Sequence, residues 1–188
     1  KKHNVKKINL RYRKNFEENF TSHLPSYKID YFIHLAFIKN SLNLNFNFLN
    51  YEIPIKIINI LKKNNSKAKF IYFSSINVLL KKKFDKYSIA KSKIEKMLIN
   101  YENVIIIRIP LVLSSVLEGD RKKLSRFVNI IPFLSLIPFK GSRINFININ
   151  ELEKSIEIVI NNFNKKILNI ISDKYIYLYE IAENLTNG

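Results

Sequence analysis

FIYFSSINVLLKKKFDKYSIAKSKIEKMLINYENVIIIRIP, residues 70–110, decides how the rest of the chain is read. It opens with an apolar run closed by two hydroxyls, Ser74 and Ser75. A run this apolar fits a strand buried on both faces of a parallel sheet, delivering the serines to its carboxyl end. Asp85 is a suitable helix N-cap, and beyond it Tyr87 and Lys91 fall at i and i+4, on one face of the helix that follows. A second apolar run, Val104 to Ile107, then leads into Arg108-Ile109-Pro110. The order is strand, hydroxyl, loop, helix and strand.

The helix carries a chemical pairing. A free phenol has a pKa of about 10, too high for a base at neutral pH, and an ammonium one helical turn away favours its phenolate form. A nearby serine can donate a hydrogen bond to an oxygen on which charge develops. Tyr-x-x-x-Lys alone is a weak signal in a chain rich in both residues, but of the ten tyrosines only Tyr87 has a lysine four positions on. Strand, serine pair and Tyr-x-x-x-Lys helix in this order resemble the short-chain dehydrogenase/reductase superfamily. The closest likeness is to its extended branch, the NAD-dependent epimerase/dehydratase family that acts on nucleotide sugars. The resemblance implies an α/β, Rossmann-like doubly wound parallel sheet. It also implies Ser75 as catalytic hydroxyl, Tyr87 as acid/base, and Lys91 as the residue that holds the cofactor ribose and lowers the tyrosine pKa. Ser74 is expected beside the cofactor, and Ser75 and Asn77 beside the substrate.

Composition bounds the alternatives. The 188 residues are 47% hydrophobic, enough for one sizeable core. No cysteine is present, which excludes disulfides, thiol catalysis and thiolate metal sites. No apolar run is long enough to span a bilayer and no signal peptide is visible, so no membrane association and a cytoplasmic location are expected. The formal charge of +17 admits a polyanion partner. The lysines, however, are scattered among Asn and Ile, and clusters such as Lys81-Lys82-Lys83 read as solvated surface, so no nucleic-acid partner is expected. A positive field would still attract an anionic cofactor and a sugar diphosphate.

Upstream, Val5 to Leu10 reads as a short strand followed by the basic loop Arg11-Tyr12-Arg13-Lys14. By the resemblance this loop contacts the cofactor, and Arg11 and Arg13 favour the extra phosphate of NADP; NAD or NADP is the expected cofactor. The family's glycine-rich turn, G-x-x-G-x-x-G, has no counterpart, since the only glycines are Gly119, Gly141 and Gly188. Glycines let the backbone approach a pyrophosphate. The chain is therefore expected to be N-terminally incomplete, or a degenerate member. Phe16 to Ser22 reads as a short helix. KIDYFIHLAF gives a strand, Tyr31 to Leu35, and resembles the family segment D-x-x-I-H-L-A-A, placing His34, Leu35 and Ala36 against the cofactor. Phe37 stands where a second small residue is usual and is expected to crowd the pocket. Taken alone, His34 reads as a satisfied structural histidine, with no metal-ligand spacing around it. Asn50, before a helix predicted over Tyr51 to Asn64, matches a family asparagine near the cofactor; read locally, it caps that helix.

Downstream, Arg108-Ile109-Pro110-Leu111-Val112 resembles the family's R-P-x-x-V segment, so Ile109 and Pro110 are assigned to the cofactor. Gly119-Asp120 reads as a turn and Leu124 to Ile131 as a helix. IPFLSLIPFKGSRINF reads as an irregular apolar piece of a substrate lobe, and Arg121, Lys122, Arg126 and Arg143 are candidates for a diphosphate. In ININELEKSIEIVI, Asn150-Glu151 takes the place of an acidic pair. The closing ILNIISDKYIYLYEIAENL reads as strand, turn and amphipathic helix. The expected domains are 1–112, a partial NAD(P)-binding domain, and 113–188, a substrate lobe over 113–145 with a returning strand–helix portion over 146–188. The function this implies is epimerase, dehydratase or reductase chemistry on a nucleotide sugar by hydride transfer, in a possible homodimer. The alternatives are a non-catalytic NAD(P)-binding sensor or scaffold, and a basic nucleic-acid-binding module.

Overall fold

The computed structural model describes residue 6 and residues 16–24, 29–39, 42–64, 67–80, 86–113, 143–161 and 165–177. In chain order the elements are α1 (Phe16–His23), β1 (Tyr31–His34), a π-helical turn (Phe48–Glu52) running into α2 (Ile53–Asn64), β2 (Lys69–Ser75), a 3-10 turn (Ile76–Leu80), α3 (Lys86–Leu98), β3 (Val104–Ile109) and β4 (Leu111–Leu113). Then follow β5 (Arg143–Asn148), α4 (Ile149–Asn161), β6 (Ile167–Asn169) and β7 (Tyr175–Tyr177). They belong to two compact units, Lys1–Arg108 with Lys165–Leu168, and Ile109–Asn164 with Asn169–Gly188.

The first unit is built on a sheet of order β1-β2-β3-β6. β1 and β2 run parallel in the register Tyr31↔Lys69 to His34↔Tyr72. Helical crossovers α2 and α3 join the successive strands, as parallel neighbours require. The apolar runs explain the depth of burial: Ile71, Ile105, Ile106 and Ile107 are fully enclosed. Each such side chain stabilises the fold by roughly 1.5–3 kcal/mol relative to exposure. Alternation along the strands gives one face Phe32, His34, Phe70 and Tyr72, and the core on that side is completed by Phe16 and Phe20 of α1 and by Ile53, Ile57 and Leu61 of α2. Phe16 and Phe20 lie one helical turn apart and stack at 5.5 Å. Phe20 meets Phe32 edge-on at 5.6 Å. The sheet is closed on its far side where the Ile106 amide donates to the Lys166 carbonyl at 2.8 Å.

The second unit is a small mixed sheet of order β4-β5-β7. β4 pairs parallel to β5 (Leu111↔Phe146) and β5 pairs antiparallel to β7 (Arg143↔Tyr177). The expectation of irregular structure through Phe146 is thus corrected from Arg143 onward. RINF alternates polar and apolar residues, and partners on both sides turn that weak alternation into a strand. α4 opens with a capping box: the Glu151 amide donates to Asn148 Oδ1 at 2.8 Å and the Asn148 amide donates to Glu151 Oε2 at 3.4 Å. Glu151 also pairs with Lys174, so the residue read as half of an acidic pair has a structural explanation.

The Val5–Leu10 strand apart from Lys6, the Asp85 cap, the Gly119-Asp120 turn, the Leu124–Ile131 helix and the closing helix beyond Tyr177 lie outside the described residues. So do Arg11, Arg13, Arg121, Lys122 and Arg126.

Candidate active site

Helix α3 presents Tyr87, Lys91 and Glu95 at successive turns of one face. Lys91 and Glu95 are buried and Tyr87 is half-buried. The Lys91 ammonium donates to the Phe73 carbonyl of β2 at 2.7 Å, two residues before Ser75. Aromatic rings enclose the rest of it: Phe37 at 4.2 Å, Tyr72 at 4.6 Å and Tyr87 at 5.9 Å from Nζ to ring centroid. Burial is the main cause of a lysine pKa lowered to about 8; Glu95 raises it in part and Lys39 lowers it further. Lys39, exposed, lies 5.5 Å from the centre of the Tyr87 ring, a second cation beside the phenol.

One turn beyond, Glu95 is held by Arg108 of β3 in a forked pair, with Nε to Oε1 at 3.0 Å and Nη2 to Oε2 at 2.6 Å. Only 14% of the arginine side chain and 6% of the glutamate side chain is exposed. This pair raises the arginine pKa and ties α3 to the sheet. Sequence reading passed over it and over Lys39. The available signal for Glu95 was an acid among Ala90, Ile94 and Leu98 on the inner face of the helix.

Asn50 does not cap α2 as its local reading had it. It lies inside the π-helical turn, 1% exposed. Its Oδ1 accepts from the Ile38 amide at 2.9 Å and its Nδ2 donates to the Ile38 carbonyl at 2.8 Å. A side-chain amide satisfies both polar groups of one backbone residue in this way, fixing the segment that follows β1. π-Helical turns often accompany functional sites. Phe37, beside the clamped Ile38, meets Tyr87 edge-on at 5.2 Å.

His34 is buried between the rings of Phe70 and Tyr72, at 5.6 and 6.0 Å. It is at best a poorly satisfied histidine: neither ring nitrogen has a well-formed hydrogen bond among the described residues, the Ala36 backbone being a marginal partner. Burial, and next the Lys91 charge, lower its pKa to about 4, opposed by hydrogen bonding with the Ala36 backbone. The hydroxyls of Tyr72 and Ser74 are buried without partners. Ser75 is buried, and its Oγ accepts from the Asn77 amide at 3.3 Å. Leu35 is exposed, Ala36 half-buried and Asn77 exposed; Ile109 is half-buried and Pro110 buried. Arg143, in the second unit, lies over the Tyr175 ring at 5.0 Å. The structure therefore gathers Tyr87, Lys91, His34 and Asn50 around the ends of β1 and β2, with Ser75 closing β2. Among the described residues there is no cluster of three or more His, Cys, Asp or Glu suited to a metal ion. No described helix is long and apolar enough to cross a membrane.

No family model and no curated protein matches the sequence. Solved structures do match. RMD from Pseudomonas aeruginosa, complexed with NADPH, superposes over 96% of this chain and 71% of its own, with a TM-score of 0.67 and 14% identity. The fold is shared. WbmF from Bordetella bronchiseptica, in complex with NAD+, is similar over 84% of this chain and 57% of its own (TM-score 0.61, 17% identity). UDP-N-acetylglucosamine 4-epimerase from Methanobrevibacter ruminantium M1, in complex with UDP-N-acetylmuramic acid, gives 84% and 60% (TM-score 0.60, 18% identity). The α/β, Rossmann-like architecture read from the sequence thus holds, and the likeness to the epimerase/dehydratase enzymes holds at the level of the fold. The chain spans between 57% and 71% of the length of these three neighbours.

Proposed function

We propose that the chain is the NAD(P)-binding, proton-transferring part of an epimerase, dehydratase or reductase acting on a nucleotide sugar, with Tyr87, Lys91 and Ser75 as its reacting residues. The observation that carries this reading is the Lys91 ammonium, buried and anchored to the Phe73 carbonyl at 2.7 Å, with its Nζ 5.9 Å from the centre of the Tyr87 ring. It stands near the carboxyl end of β2, where open α/β sheets bind their ligands. That placement suits a nicotinamide dinucleotide, whose hydroxylated ribose Lys91 would hold. When bound, such a cofactor supplies the hydride acceptor or donor. Tyr87 takes the proton of the substrate hydroxyl, its phenolate favoured by Lys91 and Lys39. Ser75 donates to the substrate oxygen, and Asn77, exposed two residues on, is available to the sugar.

The test is Tyr87→Phe in the full-length protein, assayed against a panel of nucleotide sugars. Turnover should fall by about 10²–10⁴-fold while NADH or NADPH binding persists; undiminished turnover would remove Tyr87 from the mechanism. A binding-only role is the second reading, favoured by the Phe37 ring beside Lys91, and would give dinucleotide binding with no turnover on any sugar.

A further inference from the structure

We infer that Phe37 is an affinity-determining residue of this site: its ring occupies one of the donor directions of the Lys91 ammonium and competes there with the hydroxyl groups of a diol-bearing ligand. The inference rests on the reading of Lys91 as the residue that holds a dinucleotide ribose.

An ammonium has three donors and no acceptor. Those of Lys91 meet the Phe73 carbonyl at 2.7 Å and the ring faces of Phe37 and Tyr72 at 4.2 and 4.6 Å, all within the range of a direct hydrogen bond or a cation–π contact. With the Tyr87 ring at 5.9 Å as a fourth neighbour, the near partners outnumber the donors before any ligand arrives. A hydroxyl pair can reach the nitrogen only by replacing one of them. The Phe73 carbonyl is part of the β2 backbone, and Tyr72 is 1% exposed in the same strand. Phe37 is half-buried, on the segment that follows β1, and is the least enclosed of these three partners.

The contact is a braced one. The Phe37 ring meets Tyr87 edge-on at 5.2 Å and Phe46 edge-on at 6.5 Å. The next residue, Ile38, is clamped at both its amide and its carbonyl by Asn50. The ring is therefore held against the ammonium by its neighbours on two sides and by its own backbone. A small residue at 37 would leave Lys91 the carbonyl, the Tyr72 ring and the more distant Tyr87 ring, and would open the side nearest Phe37 to ligand.

The experiment compares the full chain with its Phe37→Ala and Phe37→Leu variants. Labelling of individual lysines by an amine-acylating reagent at pH 8 is followed by mass spectrometry without ligand, and NADH and NADPH affinities are titrated separately. Phe37→Ala should label Lys91 about tenfold faster and bind dinucleotide about tenfold more tightly, the equivalent of one desolvated ring–ammonium contact. Lys93, which lies over the Tyr51 ring instead, serves as control and should label as in the parent. Phe37→Leu, which keeps the bulk and loses the ring face, should label at an intermediate rate, and decides the matter if the alanine variant does not fold. Unchanged Lys91 labelling in folded variants overturns the inference, even if the parent binds dinucleotide well. Faster labelling with no dinucleotide bound by any form supports the covering of Lys91 by Phe37 and removes the dinucleotide reading instead.

Discussion

Lys91, buried, and Arg108, half-buried, are both cations set against the inner face of α3, and they are treated in opposite ways. Arg108 has the Glu95 carboxylate in a forked pair. Lys91, one turn before that carboxylate, has a carbonyl and ring faces in place of a carboxylate. The pair holds the arginine permanently charged, and burial with only partial compensation brings the lysine to a pKa of about 8, close to neutral pH. The paired cation locks a helix to a sheet, while the other is left able to exchange a proton near neutral pH. The largest effect is expected from breaking the locked pair. Arg108→Met leaves Glu95 buried without its counter-charge and should cost about 3–5 kcal/mol, whereas the double variant Glu95→Leu/Arg108→Met should recover most of that. Urea unfolding of the two single variants and the double variant measures the coupling; additive losses would mean that the pair is not the lock.

Lys91→Met probes the other side of the comparison. Lys91 falls from 10.5 unfolded to about 8 folded, so the unfolded chain binds more protons between those values, and the stability of the parent should rise with pH across that window. Below pH 8 both states are protonated and the burial penalty is constant, at most about 3 kcal/mol. The variant should therefore be the more stable protein at pH 7, and its advantage should fade by pH 10.5. The groups facing Lys91 are Glu95, Lys39, His34, Tyr72 and Tyr87. Denaturant midpoints at pH 7 and 10 report the difference, and a variant less stable at pH 7 would show that the ring contacts outweigh desolvation.

How far all this was legible in the sequence follows the range of the contacts involved. FIYFSS and VIIIR declared themselves as strands because strands covered on both faces need unbroken apolar runs, and Tyr87 and Lys91 shared a face because helical spacing is local. Phe37 was read as out of place by its size, but nothing in one dimension says which side chain its ring will cover. The Glu95–Arg108 pair links residues separated by the end of α3 and the start of β3. β5 finds its partners at Leu111–Leu113 and Tyr175–Tyr177, so its weak alternation in sequence was overlooked. Asn50 looked like a cap because asparagine before a helix commonly is one. The π-helical turn that redirects it toward Ile38 is a tertiary outcome.

At neutral pH the smallest change is expected at His34, and its value lies in testing whether Lys91 is charged. The histidine has no well-formed hydrogen bond among the described residues to lose. His34→Phe keeps a ring between Phe70 and Tyr72 and should alter stability by no more than about 1 kcal/mol at pH 7. In acid the two proteins should part. His34 falls from 6.5 unfolded to about 4 folded, through burial and then the Lys91 charge. The unfolded chain therefore binds the extra proton between pH 6.5 and 4, and stability that is full above pH 6.5 is lost as pH falls through that window, by up to about 3 kcal/mol. The variant should lack this part of the acid limb. In Lys91→Met, where the nearby charge is gone, the His34 limb should persist but shrink, because burial remains and the coulombic contribution does not. Parallel acid limbs in the parent and His34→Phe would mean that the ring is solvated, and a limb unaltered by Lys91→Met would mean that the ammonium does not act on it.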